Sequence, residues 1–110
     1  MITQPRWEAE CRAIRDIFPQ WQPFISGRHF GFRGRLYGKR RPTTKAIYAV
    51  EIRGDRSTYP HVTPFIFIAP RVGPNWQGNG ALCVTKPWSP SRSNFAQLVL
   101  YAASYLQEKG

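Results

Sequence analysis

The spacing of apolar residues changes its period twice along this chain, and this change constrains the fold more than any other feature of the sequence. Residues 5–18 carry apolar side chains at helical spacing, on a stripe formed by Trp7, Cys11, Ile14 and Phe18. This pattern predicts an amphipathic helix that Pro19 ends. Residues 19–27, with two prolines and a glycine, are typical of a connection.

An alternating pattern replaces the helical one from Arg28 onward. Two predicted strands separated by a basic turn at residues 39–42 have one apolar side each, made of Phe30, Phe32, Leu36, Tyr48, Val50 and Ile52. The short apolar run at residues 65–69 is typical of a buried strand. Short turns between consecutive strands favour an antiparallel meander of three to four strands.

Helical spacing returns at the end of the sequence. Ser93 is the predicted N-cap of this second helix, and its apolar face consists of Phe95, Leu98, Val99, Ala102 and Leu106. The order helix, strands, loop, helix predicts an α+β fold in which both helices cover one face of the sheet. A chain of 110 residues is expected to form one domain over residues 1–110.

A long segment without clear periodicity, residues 70–92, separates the last strand from the final helix. Loops longer than about 12–15 residues inside a domain are usually functional or disordered, and this one holds Cys83. A cysteine nucleophile needs partial exposure and donors near the oxygen that becomes negative. The amides of Asn75 and Asn79 are candidate donors, and the alternative for Cys83 is a structural role.

Composition and charge narrow the class of protein. Sixteen lysines and arginines against six acidic residues give a net charge of +10, which favours an acidic partner or is simply a solvated basic surface. Cys11 and Cys83 are expected to be free thiols rather than a disulfide, and no metal site is expected from two histidines and two cysteines. Neither a signal peptide nor an apolar run of about 20 residues is apparent, so a cytoplasmic protein without a membrane segment is expected.

Five short motifs, in order, resemble the core of ubiquitin-conjugating enzymes. They are Tyr59-Pro60-His61-Val62-Thr63-Pro64, the strand at residues 65–69, Gly73-Pro74-Asn75, Asn79-Gly80-Ala81-Leu82-Cys83 and Trp88-Ser89-Pro90. The interval of eight positions from Asn75 to Cys83 is also the one that the family uses. The resemblance covers the second half of the chain, and the first half agrees only in the order and type of its elements.

The resemblance implies a truncated form of that fold and assigns roles to individual residues. Cys83 would accept an acyl group as a thioester and pass it to an amine without a cofactor, while Asn75 would stabilise the oxyanion or shape the loop. Residues with supporting roles would be Asn79, Gly80 and Trp88, of which Trp88 is either a core or a contact residue. The first helix, with Arg6, Arg12 and Arg15, would dock the activating enzyme or be a plain solvated face, and Ser89 and Pro90 would meet partner proteins.

The sequence departs from the family at three places. Gly73 stands where the family has a histidine, and the segment between Cys83 and Trp88 is shorter than in eukaryotic members. No residue matches the acidic group that orients the incoming lysine in the family, so His61 is either a substitute general base or an ordinary surface histidine. A short form of this kind resembles the conjugating-enzyme-like proteins of bacterial antiphage systems.

That resemblance implies particular partners. The acyl donor would be an activating enzyme carrying a ubiquitin-like protein, or a nucleotidyltransferase whose own C-terminus is transferred. A non-catalytic binding module on the same fold is the first alternative function. A basic nucleic-acid-binding domain is the second, disfavoured because Phe30, Phe32 and Leu36 are predicted to lie in the core rather than stack on bases.

Overall fold

The structure, a computed structural model, describes residues 2–38 and 47–109. Its elements are α1 (Gln4–Ile17), β1 (Gln22–Ser26), β2 (His29–Tyr37), β3 (Ile47–Asp55), β4 (Phe65–Ala69) and α2 (Phe95–Lys109). The four strands form one antiparallel sheet in the order β1-β2-β3-β4. The predicted α+β class and the antiparallel meander are therefore confirmed, and the predicted basic turn at residues 39–42 lies outside the described residues.

One face of this sheet forms the core together with the two helices. The predicted inward residues of β2 and β3 are all buried, among them Phe30, Phe32 and Ile52. Phe95, the first residue of α2, packs against Phe30 and Phe32 with ring centroids 5.4 and 5.2 Å apart. Trp7 of α1 stacks on Phe32, with ring centroids 5.3 Å apart. The five apolar residues predicted for α2 are buried as well.

The prediction of a connection over residues 19–27 is wrong, because this segment contains β1. Its proline, Pro23, pairs with Phe32 on a strand that lies at the edge of the sheet, where a missing N–H is tolerated. Trp21 just before the strand is buried and covers Gly34, at which a Cβ would lie 2.3 Å from the indole ring. This segment is therefore an edge strand with a proline inside it instead of a loop.

The predicted N-cap of α2 is also wrong by one residue. Asn94 accepts a hydrogen bond from the Gln97 N–H at 2.9 Å, and its own N–H donates to the Gln97 side chain at 3.3 Å. These two reciprocal bonds form a capping box. The Ser93 hydroxyl instead accepts from the Ser89 N–H at 2.9 Å, so it holds the loop that precedes the helix.

Among the described residues, neither helix combines the length and the apolar character that crossing a bilayer requires.

Candidate functional site

Cys83 lies at the end of a short hairpin that follows β4. Trp76 and Leu82 form an antiparallel bridge, and the Gln77 N–H donates to the Ala81 carbonyl at 2.8 Å. The Cys83 N–H donates to the Asn75 carbonyl, also at 2.8 Å. The eight-residue interval between Asn75 and Cys83 is therefore the length of a hairpin that brings their backbones together.

The hairpin is attached to the core immediately before the cysteine. Leu82 is 1% exposed, and its N–H donates to the Ile66 carbonyl of β4 at 2.7 Å. Leu82 thus lies in the core, and the next residue, Cys83, is exposed. Cys83 is a free, exposed thiol, and Asn75 is exposed beside it.

Gly73 opens the hairpin with a backbone conformation that suits glycine. Its φ is +73°, and a Cβ at this position would lie 2.3 Å from the Tyr105 hydroxyl oxygen. That hydroxyl donates to the carbonyl of the preceding residue, Val72, at 2.5 Å. A histidine could not replace Gly73 without moving Tyr105.

We expect Gly73→Ala to lower the free energy of unfolding by about 1–3 kcal/mol, the usual cost of a left-handed conformation in a residue with a side chain. The matched control is Gly78→Ala in the same hairpin, where a Cβ meets nothing within 4 Å and the change should stay within about 0.5 kcal/mol. Urea unfolding of both variants measures the difference. Equal stability of the two would show that Gly73 is not constrained by Tyr105.

Two tyrosines of α2, Tyr101 and Tyr105, hold the two ends of the hairpin. The Tyr101 hydroxyl donates to the Cys83 carbonyl at 3.3 Å and accepts from the Thr85 N–H at 3.2 Å. Tyr105 binds Val72 and packs edge-on against Trp76, with centroids 6.1 Å apart. Sequence reasoning missed both residues, although two tyrosines four positions apart beside the apolar face of α2 were a usable signal.

Tyr101→Phe is expected to loosen the backbone on the C-terminal side of Cys83 without unfolding the protein. The lost hydrogen bonds are exposed, so global stability should fall by no more than about 1 kcal/mol. The Thr85 amide should exchange with solvent about fivefold faster or more, as measured by NMR hydrogen exchange. Tyr37→Phe, which removes a hydroxyl from β2, should leave Thr85 exchange unchanged, and equal exchange rates in both variants would contradict the role given to Tyr101.

The remaining predicted supporting residues have structural contacts. The Asn79 side-chain oxygen accepts from the Ala81 N–H at 3.1 Å, and Gly80, at φ +88°, closes the turn by donating to the Gln77 carbonyl at 3.0 Å. Trp88 is half-buried, and its indole N–H donates to the Pro60 carbonyl at 2.7 Å. These residues shape the hairpin and join two of the motifs.

His61 is exposed in the segment between β3 and β4, where its backbone N–H donates to the Thr58 carbonyl at 2.8 Å. This is the environment of a surface histidine. Among the described residues, Asn75 and Tyr101 are hydrogen-bonded to the Cys83 backbone, and Thr85 is bonded to Tyr101. The hydrogen bond of His61 is instead to Thr58, within its own turn.

Arg6, predicted to dock the activating enzyme or to lie on a plain solvated face, has a guanidinium group that is bonded to its own chain. Its Nε donates to Glu10 at 3.0 Å, and its terminal nitrogens donate to the carbonyls of Pro90 and Ser93 at 2.8 and 2.7 Å and to the Tyr59 hydroxyl at 3.0 Å. Burial alone would lower the pKa of Arg6, but the hydrogen bonds to Glu10 and Tyr59 outweigh it and raise that pKa. Arg6 therefore remains a cation that ties α1 to the loop before α2.

Glu10 is the centre of this network and was not singled out from the sequence. It is 2% exposed, accepts the Tyr59 O–H and the Arg6 Nε–H, and accepts the Phe95 N–H at 3.0 Å. Burial raises the pKa of the Tyr59 hydroxyl, and its bond to Glu10 raises it further. Because Phe95 begins α2, the carboxylate also satisfies a free N–H at the positive end of the helix.

The other predicted partner-binding residues divide into two groups. Arg12 and Arg15 are exposed on α1, as a docking or solvated face requires. Ser89 and Pro90 are half-buried, and the Pro90 carbonyl accepts a hydrogen bond from Arg6.

Cys11 is half-buried on α1, and burial raises the pKa of its thiol, which suits an inert core position.

Within residues 2–38 and 47–109, no group of three or more histidine, cysteine or acidic side chains is placed to hold a metal ion.

Searches against family models, curated proteins and solved structures find no match to this chain.

Proposed function

We propose that this chain is a ubiquitin-conjugating-enzyme-like transferase that carries an acyl group as a thioester on Cys83. The observation that carries the proposal is an exposed free cysteine on a hairpin attached to the core, with its backbone N–H donating to the Asn75 carbonyl. An exposed cysteine on a held backbone is accessible to a macromolecular donor and keeps a defined direction of attack.

Contacts between the motifs support the same proposal. Tyr59 lies 6.0 Å from the Trp88 ring, Trp88 binds the Pro60 carbonyl, and Leu82 binds the carbonyl of Ile66. Segments that are separate in the sequence thus contact one another in the folded chain. Such connection is expected if the motifs belong to a single site and is not required if their similarity to the family is accidental.

In the proposed reaction the Cys83 sulfur attacks the activated carbonyl of a protein C-terminus. The bond from that carbonyl to its previous carrier breaks, the carrier leaves, and a thioester remains on the sulfur. An amine then attacks the thioester carbonyl, loses a proton, and expels the Cys83 thiolate. The exposed Asn75 side chain is the candidate donor to the oxyanion in both steps, and no cofactor is required because the thioester already stores the energy.

A hollow of about 330 Å³ against α2 offers room for the donor's last residues. It is lined by Lys86 and by one side of α2, including Leu100, Tyr101 and Ser104. Tyr101 also contacts the Cys83 carbonyl, so one lining residue of the hollow touches the residue that carries the attacking sulfur. The donor in this proposal is either a ubiquitin-like protein delivered by an activating enzyme or the C-terminus of a nucleotidyltransferase, in bacterial antiphage defence.

The exposed arginines Arg12 and Arg15 would dock an acidic face of the activating enzyme. Two free thiols suit a cytoplasmic location.

The test is incubation of the purified chain with its activating enzyme and each candidate donor, read on non-reducing gels and by mass spectrometry. We expect an adduct at Cys83 that thiol reagents cleave. If none of the candidate donors forms an adduct, a non-catalytic binding module on the same fold would be favoured.

A further inference from the structure

The sheet face opposite the helices combines arginines with aromatic rings. Its residues, called the outer sheet face below, are Phe24, Arg33, Arg35, Glu51, Arg53, Phe65 and Phe67. Their direction follows from alternation, because the intervening residues Phe32, Val50, Ile52 and Ile66 are buried in the core. Neither helix covers this side of the sheet, since both pack with the buried residues.

Strand register arranges these side chains in a definite order. Arg33 is paired with Glu51 across β2 and β3, and Glu51 is paired with Phe67 across β3 and β4. Arg53 of the next row is paired with Phe65. The result is a central strip of charged groups with an aromatic ring of β1 on one side and two aromatic rings of β4 on the other.

Each of the two central arginines lies over a ring. The Arg33 guanidinium carbon is 4.0 Å from the Phe24 ring centroid, and that of Arg53 is 4.6 Å from the Phe67 centroid. Glu51 fixes both groups, with ion-pair distances of 2.7 Å to Arg33 and 2.5 Å to Arg53. Burial alone would raise the pKa of Glu51, but its hydrogen bonds to these arginines hold it below its ordinary value.

The charge of this face points to a polyanion. Three arginines against one glutamate leave an excess of two positive charges on the outer sheet face, and Arg71 borders it. Arg33 and Arg53 keep 56% and 38% of their side chains exposed despite the ion pairs. A hollow of about 530 Å³ between Arg33, Arg53, Arg71 and the small residues Ala49 and Ala69 is large enough for a small-molecule group such as a nucleotide.

We infer that the outer sheet face binds single-stranded nucleic acid, with two or three bases lying on its rings and guanidinium planes. Aromatic rings and arginine planes stack bases of any sequence, and arginines neutralise the adjoining phosphates. Phe30, Phe32 and Leu36 lie in the core and are not available to stack on bases. Phe24, Phe65 and Phe67 face outward and are available.

The test uses a fluorescein-labelled single-stranded oligothymidylate of about 12 nucleotides and measures anisotropy from 50 to 200 mM salt. Binding to the wild-type chain should weaken as salt rises, by a slope of about 0.7 for each phosphate contact. Arg33→Gln/Arg53→Gln should weaken binding about tenfold or more and reduce this slope by about 1.4. Arg12→Gln/Arg15→Gln, which removes the same charge from exposed α1, should change binding much less.

Phe65→Ala provides an independent measurement, since this ring is 40% exposed and carries no charge. It should weaken binding about fivefold or more at every salt concentration without changing the slope, because stacking does not release counterions. Thermal unfolding of each variant shows whether it still folds. If the arginine double variant does not fold, Phe65→Ala still tests the inference, because it leaves the Arg33–Glu51–Arg53 contacts in place.

Any one of four outcomes would overturn the inference. Equal losses in the two arginine pairs, or equal affinity for a duplex, would indicate diffuse attraction to a basic protein. Binding of polyglutamate that depends on Arg33 and Arg53 but not on Phe65 would indicate a surface for an acidic protein. Failure to bind the oligothymidylate at 50 mM salt would show that the outer sheet face does not bind single-stranded nucleic acid. None of these results bears on thioester formation at Cys83.

Discussion

Replacing Glu10 by alanine is expected to lower the free energy of unfolding by about 3–5 kcal/mol, the usual cost of removing one partner from a buried ion pair. The side chain of Glu10 is 1% exposed and that of Arg6 is 24% exposed. Alanine would leave the Arg6 Nε, the Tyr59 hydroxyl and the Phe95 N–H without their acceptor. Each is a polar group whose unmet hydrogen bond costs stability when it is buried.

The matched control is Glu8→Ala on the same helix. Glu8 is exposed, and the hydrogen bond that it accepts from Gln4 is an exposed one of 3.3 Å, so its loss should change stability by no more than about 0.5 kcal/mol. Urea unfolding followed by circular dichroism compares two variants with the same change in charge. If the Glu10 variant does not fold, Glu10→Gln, which keeps an acceptor oxygen, should fold with a loss of about 1–3 kcal/mol.

Similar stability of Glu10→Ala and Glu8→Ala would contradict the central position given to this carboxylate. The comparison matters for the proposed site because Arg6 and Glu10 join α1 to the residues just before and at the start of α2. Tyr101 and Tyr105, which hold the Cys83 hairpin, belong to that same helix. A loss at Glu10 should therefore also accelerate exchange of the Thr85 amide.

The main elements of the fold were predictable because their apolar residues repeat at a regular spacing, which on β2 is broken only by Gly34. Phe30, Phe32 and Leu36 alternate on β2, and the apolar face of α2 keeps helical spacing to its end. β1 was missed because it is short and contains Pro23. A proline normally argues against a strand, and only the position of β1 at the sheet edge makes it acceptable, a property of the assembled sheet that no local pattern contains.

The candidate site was predictable where it depends on neighbours in sequence. The interval between Asn75 and Cys83 indicated that the two residues belong together, and the hairpin brings their backbones into contact. Glu10 and Tyr101 were not predicted, because their partners lie 85 and 18 positions away, at Phe95 and Cys83. A glutamate on an amphipathic helix ordinarily lies in solvent, and its burial depends on a helix at the other end of the chain.

Arg6 illustrates the same limit. From the sequence it belonged with Arg12 and Arg15 on a basic face of α1, since all three lie outside the apolar stripe. In the folded chain the carbonyls of Pro90 and Ser93 and the Tyr59 hydroxyl surround its guanidinium. Charge and periodicity alone do not separate an arginine that meets a partner from one that holds two elements of its own chain together.

Cys83→Ser is expected to change the chemistry of the proposed adduct from a thioester to an oxygen ester. A serine hydroxyl is a weaker nucleophile than a thiolate, so the adduct should form more slowly. Once formed, it should resist thiol reagents, and transfer to an amine should slow by orders of magnitude because an alkoxide leaves less readily than a thiolate. Time courses on non-reducing gels, with and without thiol reagent and hydroxide, measure each of these changes.

Cys83→Ala and Cys11→Ser complete the comparison. Alanine at position 83 should abolish the adduct, whereas serine at position 11 should leave its rate and thiol sensitivity unchanged, because Cys11 is half-buried and burial raises the pKa of its thiol. An adduct that persists in Cys83→Ala, or disappears in Cys11→Ser, would transfer the chemistry to another residue. A thiol-resistant ester that forms in Cys83→Ser, and in neither Cys83→Ala nor Cys11→Ser, would identify residue 83 as the acyl carrier. In Cys83→Ser the attacking atom at this position changes from sulfur to oxygen.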